Sequence, residues 1–288
     1  MKKKKPVTND EQWDLIIEPK NRFFRLDLKE LMQYKFLMFL FVRRDFVAQF
    51  KQTILGPLWF IIQPVMTSGI FTLVFSEIAK IPTDGVPPFL FNLAGVTLWN
   101  YFASCLNSTS NILGANSGLF GKVYFPRLAV PISTVITRLY TFGIQFVFFL
   151  AVYLALMANG AVLKPNWYLL LVPIMVGHAA LLGLGIGLWA SALTVKYRDL
   201  NQLVGFGVGL AMYATPIFYP LSAVPHSLKW LVAINPMAPV VEIFRYAFTG
   251  TGSLPLLDYS ISLGVTLAVV FFGLALFHRA ERNFIDVA

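Results

Sequence analysis

Six stretches without a single charged side chain occupy most of this 288-residue chain: 52–76, 85–121, 139–163, 165–195, 200–228 and 259–278. Each reaches the roughly 20 residues that a helix rising about 1.5 Å per residue needs to cross about 30 Å of hydrocarbon. No water-soluble core of this size calls for six such runs. The chain reads as an all-α polytopic membrane protein with six transmembrane helices.

Charge placement sets an orientation, because short loops rich in Lys and Arg remain in the cytoplasm. With an inside N-terminus and six spans, 18 of the 23 basic residues fall on the cytoplasmic side. Lys80, Lys164, Lys229 and Arg245 fall outside, and Arg138 lies near the start of span three. Both termini are expected to be cytoplasmic. The net charge of +9 then matches an anionic lipid leaflet and requires no nucleic acid. Lys2 to Lys5 form too short a run for a nucleic-acid arm and lack interleaved aromatics. No apolar core follows them, so they do not read as a signal peptide. A single cysteine, Cys105, excludes an intrachain disulfide and a cysteine metal cluster.

Residues 1–26 are polar and carry Pro6 and Pro19, which reads as a flexible cytoplasmic lead. Asp27-Leu28-Lys29-Glu30 has the spacing of a helix N-cap, so 27–50 is predicted as a helix. Its apolar middle, Phe36 to Val42, is too short to span and runs into Arg43, Arg44 and Asp45. That pattern places it in the headgroup zone as an interfacial amphipathic helix. Residues 51–282 form the transmembrane domain, with spans at about 54–76, 89–113, 131–158, 166–193, 201–219 and 259–278, and 283–288 are a cytoplasmic tail. Gly56, Pro57 and Pro64 predict a kink in span one. Between Thr215 and Asp258 lie six of the 17 prolines in an apolar context. Pieces such as 227–234 and 239–248 are too short to cross. Broken, re-entrant helices between spans five and six satisfy both facts, since irregular backbone at membrane depth must be buried in protein or line a cavity.

The spans hold almost no ionisable groups. His178 is the one titratable group expected deep in a span, and a lone histidine there reads as a hydrogen-bonded packing residue. Glu242 and Arg245, at i and i+3, suggest either a local ion pair or a part in gating the broken segment. Hydrolytic and metal-ligand motifs are missing from the sequence, so no catalytic or metal residue is assigned. Gly183-Leu-Gly-Ile-Gly187 and Gly205-Phe-Gly-Val-Gly209 lie inside uncharged runs with no strand before them. Both suit close helix packing and not nucleotide binding. No Gly-x-x-x-x-Gly-Lys-Ser/Thr loop occurs, so the chain does not grip ATP phosphates in that way. A channel, a partner-driven transporter and a membrane-embedded enzyme stay open on these grounds. Twenty-seven Phe, 11 Tyr and six Trp add faces on which sugar rings stack, although most aromatics simply fill helix contacts.

The order of several short motifs resembles the permease subunits of type-2 ABC polysaccharide exporters, the group serving O-antigen, capsule and teichoic acid. These are Arg43-Arg44-Asp45, Lys51-Gln-Thr-Ile-Leu-Gly-Pro-Leu-Trp59, Gln63-Pro64, Lys122-Val-Tyr-Phe-Pro-Arg127 with Pro131, Lys196-Tyr-Arg-Asp199, and Asn235-Pro236 followed by Glu242 and Arg245. The resemblance covers about residues 26–282 and leans to the O-antigen branch. It implies a homodimer joined to two copies of a separate ATPase, which binds ATP and Mg, and a cargo carried on undecaprenyl pyrophosphate. It implies that Phe120, Lys122, Tyr124, Phe125, Pro126 and Arg127 meet the ATPase, and that Pro225, Asn235, Pro236, Glu242 and Arg245 belong to an outer gate. Arg43, Arg44 and Lys51 are candidates for the lipid pyrophosphate or for bilayer phosphates. Two rivals are a type-2 ABC permease for a small drug or lipid and an integral-membrane glycosyl- or acyltransferase.

Overall fold

The computed structural model describes residues 28–51, 53–120, 125–197 and 199–284, with side chains of 28–30 and 282–284 left aside. The proposed lead of 1–26 and tail of 283–288 therefore fall outside the described residues, except for the backbone of 283 and 284. Helices and turns make up the described chain, with no strand among them. Among the described residues five helical stretches are long and apolar enough to cross a membrane: Gly56–Ile78, Pro88–Thr109, Ala129–Ala158, Trp167–Thr194 and Leu256–Glu281.

Two helices precede the first span, α1 (Leu28–Gln33) and α2 (Lys35–Phe50), with the break at Tyr34. Phe41 and Val42 are buried, while Phe36, Phe39 and Val47 stay exposed. The first span opens as a 3-10 turn at Gly56–Leu58, continues as α3 (Trp59–Phe71) and widens to a π-helix over Thr72–Ile78. Pro64 lies inside α3 without ending it.

The bundle is centred on α4 (Pro88–Thr109), the most enclosed of the spans. Two short helices follow, α5 (Ile112–Ala115) and α6 (Ser117–Phe120), and then α7 (Ala129–Ala158) and α8 (Val172–Thr194). A glycine ladder on α8 sets the helix spacing. A Cβ on Gly183 would lie 2.9 Å from both the Cys105 Cβ and the Phe102 carbonyl, and one on Gly187 would strike Thr109, both on α4. A Cβ on Gly185 would lie 3.0 Å from the Val270 Cα of α12 (Leu256–Phe284), and one on Gly273 of α12 would strike the Gly185 carbonyl. We expect Gly187→Leu and Gly273→Leu each to cost at least the about 1–3 kcal/mol of core overpacking. Loss of the monodisperse peak in fluorescence-detected size exclusion after mild heating is the readout.

The second glycine run behaves differently. It lies on α9 (Leu200–Ala214), and no atom comes within 4 Å of a Cβ built on Gly205, Gly207 or Gly209. The close packing expected of this run is not made within the chain. Span five is also shorter than expected: Thr215 turns extended and Pro216 follows, so the helix stops after 15 residues at Ala214, not near 219.

Between α9 and α12 lie α10 (Lys229–Ile234) and α11 (Met237–Thr249), bent 97° at Asn235-Pro236. At one end of this pair, Asn235 Nδ2 donates to Thr215 Oγ1 at 2.6 Å, just past the end of α9. At the other, the carbonyls of Ala247 and Thr249 accept from the N–H groups of Asn166 and Lys164, in the loop joining α7 to α8. Both anchors lie at the end of the bundle remote from α2. The pair thus doubles back to the side it entered from, as re-entrant segments do.

Candidate functional site

Two regions carry the residues singled out in the sequence, one at each end of the bundle. Near α2, the segment after α4 folds onto the chain itself. Phe41 of α2, Leu113 of α5, Phe120 of α6, Phe125, Leu188 of α8 and Phe277 of α12 form one buried apolar cluster. The rings of Phe41 and Phe125 lie 5.7 Å apart, and those of Phe120 and Phe125 5.8 Å. Polar ties hold the same segment: Thr194 Oγ1 donates to the Ser110 carbonyl at 2.8 Å, and the Leu113 N–H donates to Ser191 Oγ at 3.3 Å. The Pro126 carbonyl accepts from the Ala129 N–H at 2.9 Å and leads the chain into α7.

Arg127 closes this end against α12. Its Nη1 donates to the Glu281 carbonyl at 2.9 Å, its Nε lies 3.5 Å from Glu281 Oε1, and its guanidinium sits 5.5 Å from the Phe120 ring centre. Glu281 also meets His278 Nδ1 at 3.3 Å. Phe120 and Phe125 are thus interior props and not the exposed anchors that a partner groove would take up. Lys122 and Tyr124 lie outside the described residues. Arg43 on α2 and Lys51 just past its end are exposed, and Arg44 is tied to Asp45 at 2.8 Å and stacked 5.0 Å from the Phe41 ring centre.

The remote end is organised by α11, which is buried along nearly its whole length. Arg245 Nη1 bonds Glu242 Oε1 at 3.1 Å with both side chains buried. The local ion pair is present, and it is part of a larger knot. Arg245 Nη2 donates to the carbonyls of Pro216 at 2.7 Å and Ile217 at 3.2 Å, and the guanidinium lies 3.6 Å from the Phe91 ring centre. In a continued helix the Pro216 carbonyl would bond the N–H of residue 220, which is a proline and has none. Arg245 supplies the missing donor.

Other gate candidates are placed as joints. Asn235 Oδ1 accepts from the Met237 N–H at 3.0 Å and opens α11, while the Pro236 carbonyl accepts from Ser262 Oγ of α12 at 2.5 Å. Pro225 starts a 3-10 turn, its carbonyl bonded to the Leu228 N–H at 2.9 Å. Gly250 ends α11 at φ +68°, where a Cβ would lie 2.6 Å from the Lys164 carbonyl. Sequence reasoning missed Asp84, which accepts from Ser222 Oγ at 2.9 Å and ties the α3–α4 loop to the broken segment. Its signal was the Asp84-Gly85 turn, in which both residues adopt positive φ. His178 is the packing residue it was read as, bonded through Nε2 to Thr266 Oγ1 at 2.7 Å. Among the described residues no three His, Cys, Asp or Glu side chains gather as metal ligands would.

A family model for the ABC-2 type transporter matches residues 37–249, from α2 to the last residue of α11. This chain belongs to the ABC-2 type transporter family. Both regions of this ABC-2 chain lie within the matched stretch, apart from Arg127's partner Glu281 and the α12 contacts. An O-antigen export system permease protein RfbA of Klebsiella pneumoniae is 26% identical over 265 residues, covering 91% of this chain and 99% of that protein. A permease of the same description from Myxococcus xanthus is 29% identical over 224 residues, 77% of this chain and 83% of that one. The polysialic acid transport protein KpsM of Escherichia coli is 26% identical over 263 residues, with 83% and 91% covered.

Proposed function

We propose that this chain is the membrane-spanning permease of an ATP-driven exporter that moves a lipid-linked polysaccharide of O-antigen type across a bacterial inner membrane. The observation that carries the reading is the near end-to-end similarity to O-antigen export permeases, which spans 99% of one of them. Similarity to a polysialic acid transport protein supports a polysaccharide as the cargo. Two copies of this chain pair and bind two copies of a separate ATPase, which holds ATP and Mg. The α2 end faces the cytoplasm and receives the ATPase, and the α11 knot closes the far side. Undecaprenyl pyrophosphate carries the glycan, with its anionic head among Arg43, Arg44 and Lys51.

The first test is the division of labour. The purified chain alone is expected to hydrolyse ATP no faster than an empty-membrane control. Co-expression with an ATPase encoded beside it is expected to give a complex that hydrolyses ATP and restores glycan export to cells lacking the permease. Hydrolysis by the lone chain, or a restored drug efflux in place of glycan export, would overturn the reading. Orientation is tested separately. Reporters fused near Lys196 and at the C-terminus are expected to stay cytoplasmic, and those near Gly85, Gly160 and Gly252 to be external. An external C-terminus would overturn the topology.

A further inference from the structure

Inside the 97° bend between α10 and α11 lies a cavity of about 160 Å³. A water takes up about 30 Å³ in the liquid, so the space holds roughly five waters or one small polar group of that bulk. Leu221, Val232 and Pro239 give it apolar walls. Three charged residues line it as well, one from each helix that meets there: Lys229 of α10, Glu242 of α11 and Asp258 of α12.

Glu242 is already balanced, since its Oε1 is bonded by Arg245 at 3.1 Å. Lys229 and Asp258 are not. Both are exposed, and among the described residues neither side chain makes a hydrogen bond or an ion pair. With Arg245 set against Glu242, the lining carries no net charge. It nevertheless presents one unanswered cation and one unanswered anion, held on different helices.

The depth of the cavity follows from α12. Asp258 lies in the first turn of that helix, whose membrane-crossing stretch starts at Leu256. Its carboxylate therefore stands where hydrocarbon gives way to head groups. Trp167 and Trp230 are exposed at the same end of the bundle, as rings at a membrane interface are. Next to Asp258, the exposed side chains of Leu257, Ile261 and Val265 recur at every turn of α12 and lead from this level into the bilayer.

A neutral site with separated charges is complementary to a zwitterion. Phosphoethanolamine has a phosphate to accept from the Lys229 ammonium and a primary ammonium to donate to the Asp258 carboxylate. A choline head has no N–H to donate, and a glycerol head sets a phosphate near Asp258 with no cation to answer it. The apolar side chains beside the cavity match a ligand that continues as hydrocarbon, which a free sugar does not. We infer that this cavity binds the phosphoethanolamine head of a membrane phospholipid, with acyl chains along Leu257 and Ile261. The site is separate from the carrier and the cargo of the exporter reading. A head seated there touches α10, α11 and α12 together and props the bent pair at its angle.

The test uses the permease purified with its ATPase and mixed with equal amounts of phosphatidylethanolamine, phosphatidylglycerol and phosphatidylcholine of the same acyl chains. Native mass spectrometry reads the lipid retained. The unaltered complex is expected to retain phosphatidylethanolamine in preference to both others. Lys229→Ala and Asp258→Asn are each expected to lower that preference about fivefold, the size of one partly solvated charge contact. Lys229→Asp combined with Asp258→Lys separates binding from a plain ion pair. An ion pair survives the exchange, whereas a head group tethered on its phosphate side meets its charges in reversed order. Equal retention of phosphatidylglycerol, an unchanged preference in the single variants, or a preference regained in the exchanged protein overturns the inference. A photo-crosslinking residue at Leu257 in the otherwise unaltered chain gives a reading that needs no variant of the charged pair. Phosphatidylethanolamine is the expected adduct, and an adduct with glycan or with a second copy of the chain counts against the site. No cargo is needed for these measurements, so loss of the lipid preference leaves the exporter reading intact, and failure of that reading shows in the export assay alone.

Discussion

Replacing Arg245 by alanine is expected to lower stability by about 3–5 kcal/mol, the usual cost of removing one member of a buried ion pair. Glu242 would be left charged and enclosed, and the Pro216 and Ile217 carbonyls would lose their donor. Each buried group left unpaired adds its own desolvation penalty. Export is expected to fall to background. Glu242→Leu combined with Arg245→Leu is expected to recover part of the stability, because no charge is then stranded, but neither the rest of it nor export, because the Pro216 and Ile217 carbonyls still lack their donor. Thermal unfolding followed by size exclusion, together with glycan export in complemented cells, separates the two effects. Wild-type behaviour of Arg245→Ala in both assays would show that the knot does not hold this end together.

The second large effect is expected at Phe125. Truncation of a buried phenylalanine costs about 3–5 kcal/mol, and this one is wedged between Phe41 and Phe120. Phe125→Ala is expected to loosen α2 together with the segment that follows α6, so that trypsin cuts at Arg43 and Arg44 sooner and the ATPase is lost on purification. Phe125→Leu, which keeps most of the volume, is expected to restore both. Tyr124→Ala is informative by contrast. If Tyr124 is a direct anchor for the ATPase, its loss weakens co-purification without altering the trypsin pattern. Loss of the ATPase from Phe125→Ala with no change in cleavage or unfolding would overturn the interior role of this ring.

The large features were legible because each rests on a requirement that a sequence displays. Uncharged runs mark spans since hydrocarbon tolerates little else, and six prolines in an apolar stretch mark a broken helix since they withdraw backbone donors. What stayed hidden depends on which neighbour a residue meets. Gly183-Leu-Gly-Ile-Gly187 and Gly205-Phe-Gly-Val-Gly209 look alike, yet only the first is pressed against α4 and α12. Phe120 and Phe125 sit in a loop-like segment between charges, and nothing local tells that their rings turn inward to α2. Arg245 showed its partner at i−3. Its bonds to residues 28 and 29 positions earlier had no sequence signature beyond the proline at 220. Asp84 was passed over because one carboxylate in a turn is common, and its partner lies 138 residues away.

The shortness of α9 has a consequence for the surrounding bilayer. Fifteen residues extend about 22 Å, which leaves about 8 Å of a 30 Å hydrocarbon layer without a matching helix. Hydrophobic mismatch of this kind costs fractions of a kcal/mol per Å and is relieved by thinning the lipid or by letting other protein fill the gap. Past Ala214 residues 215–218 are buried, and Arg245 donates to the carbonyls of Pro216 and Ile217, so the missing length is made up by protein packed behind the helix end and not by lipid. The short helix therefore ends on a protein plug, and movement of α11 would carry that plug with it.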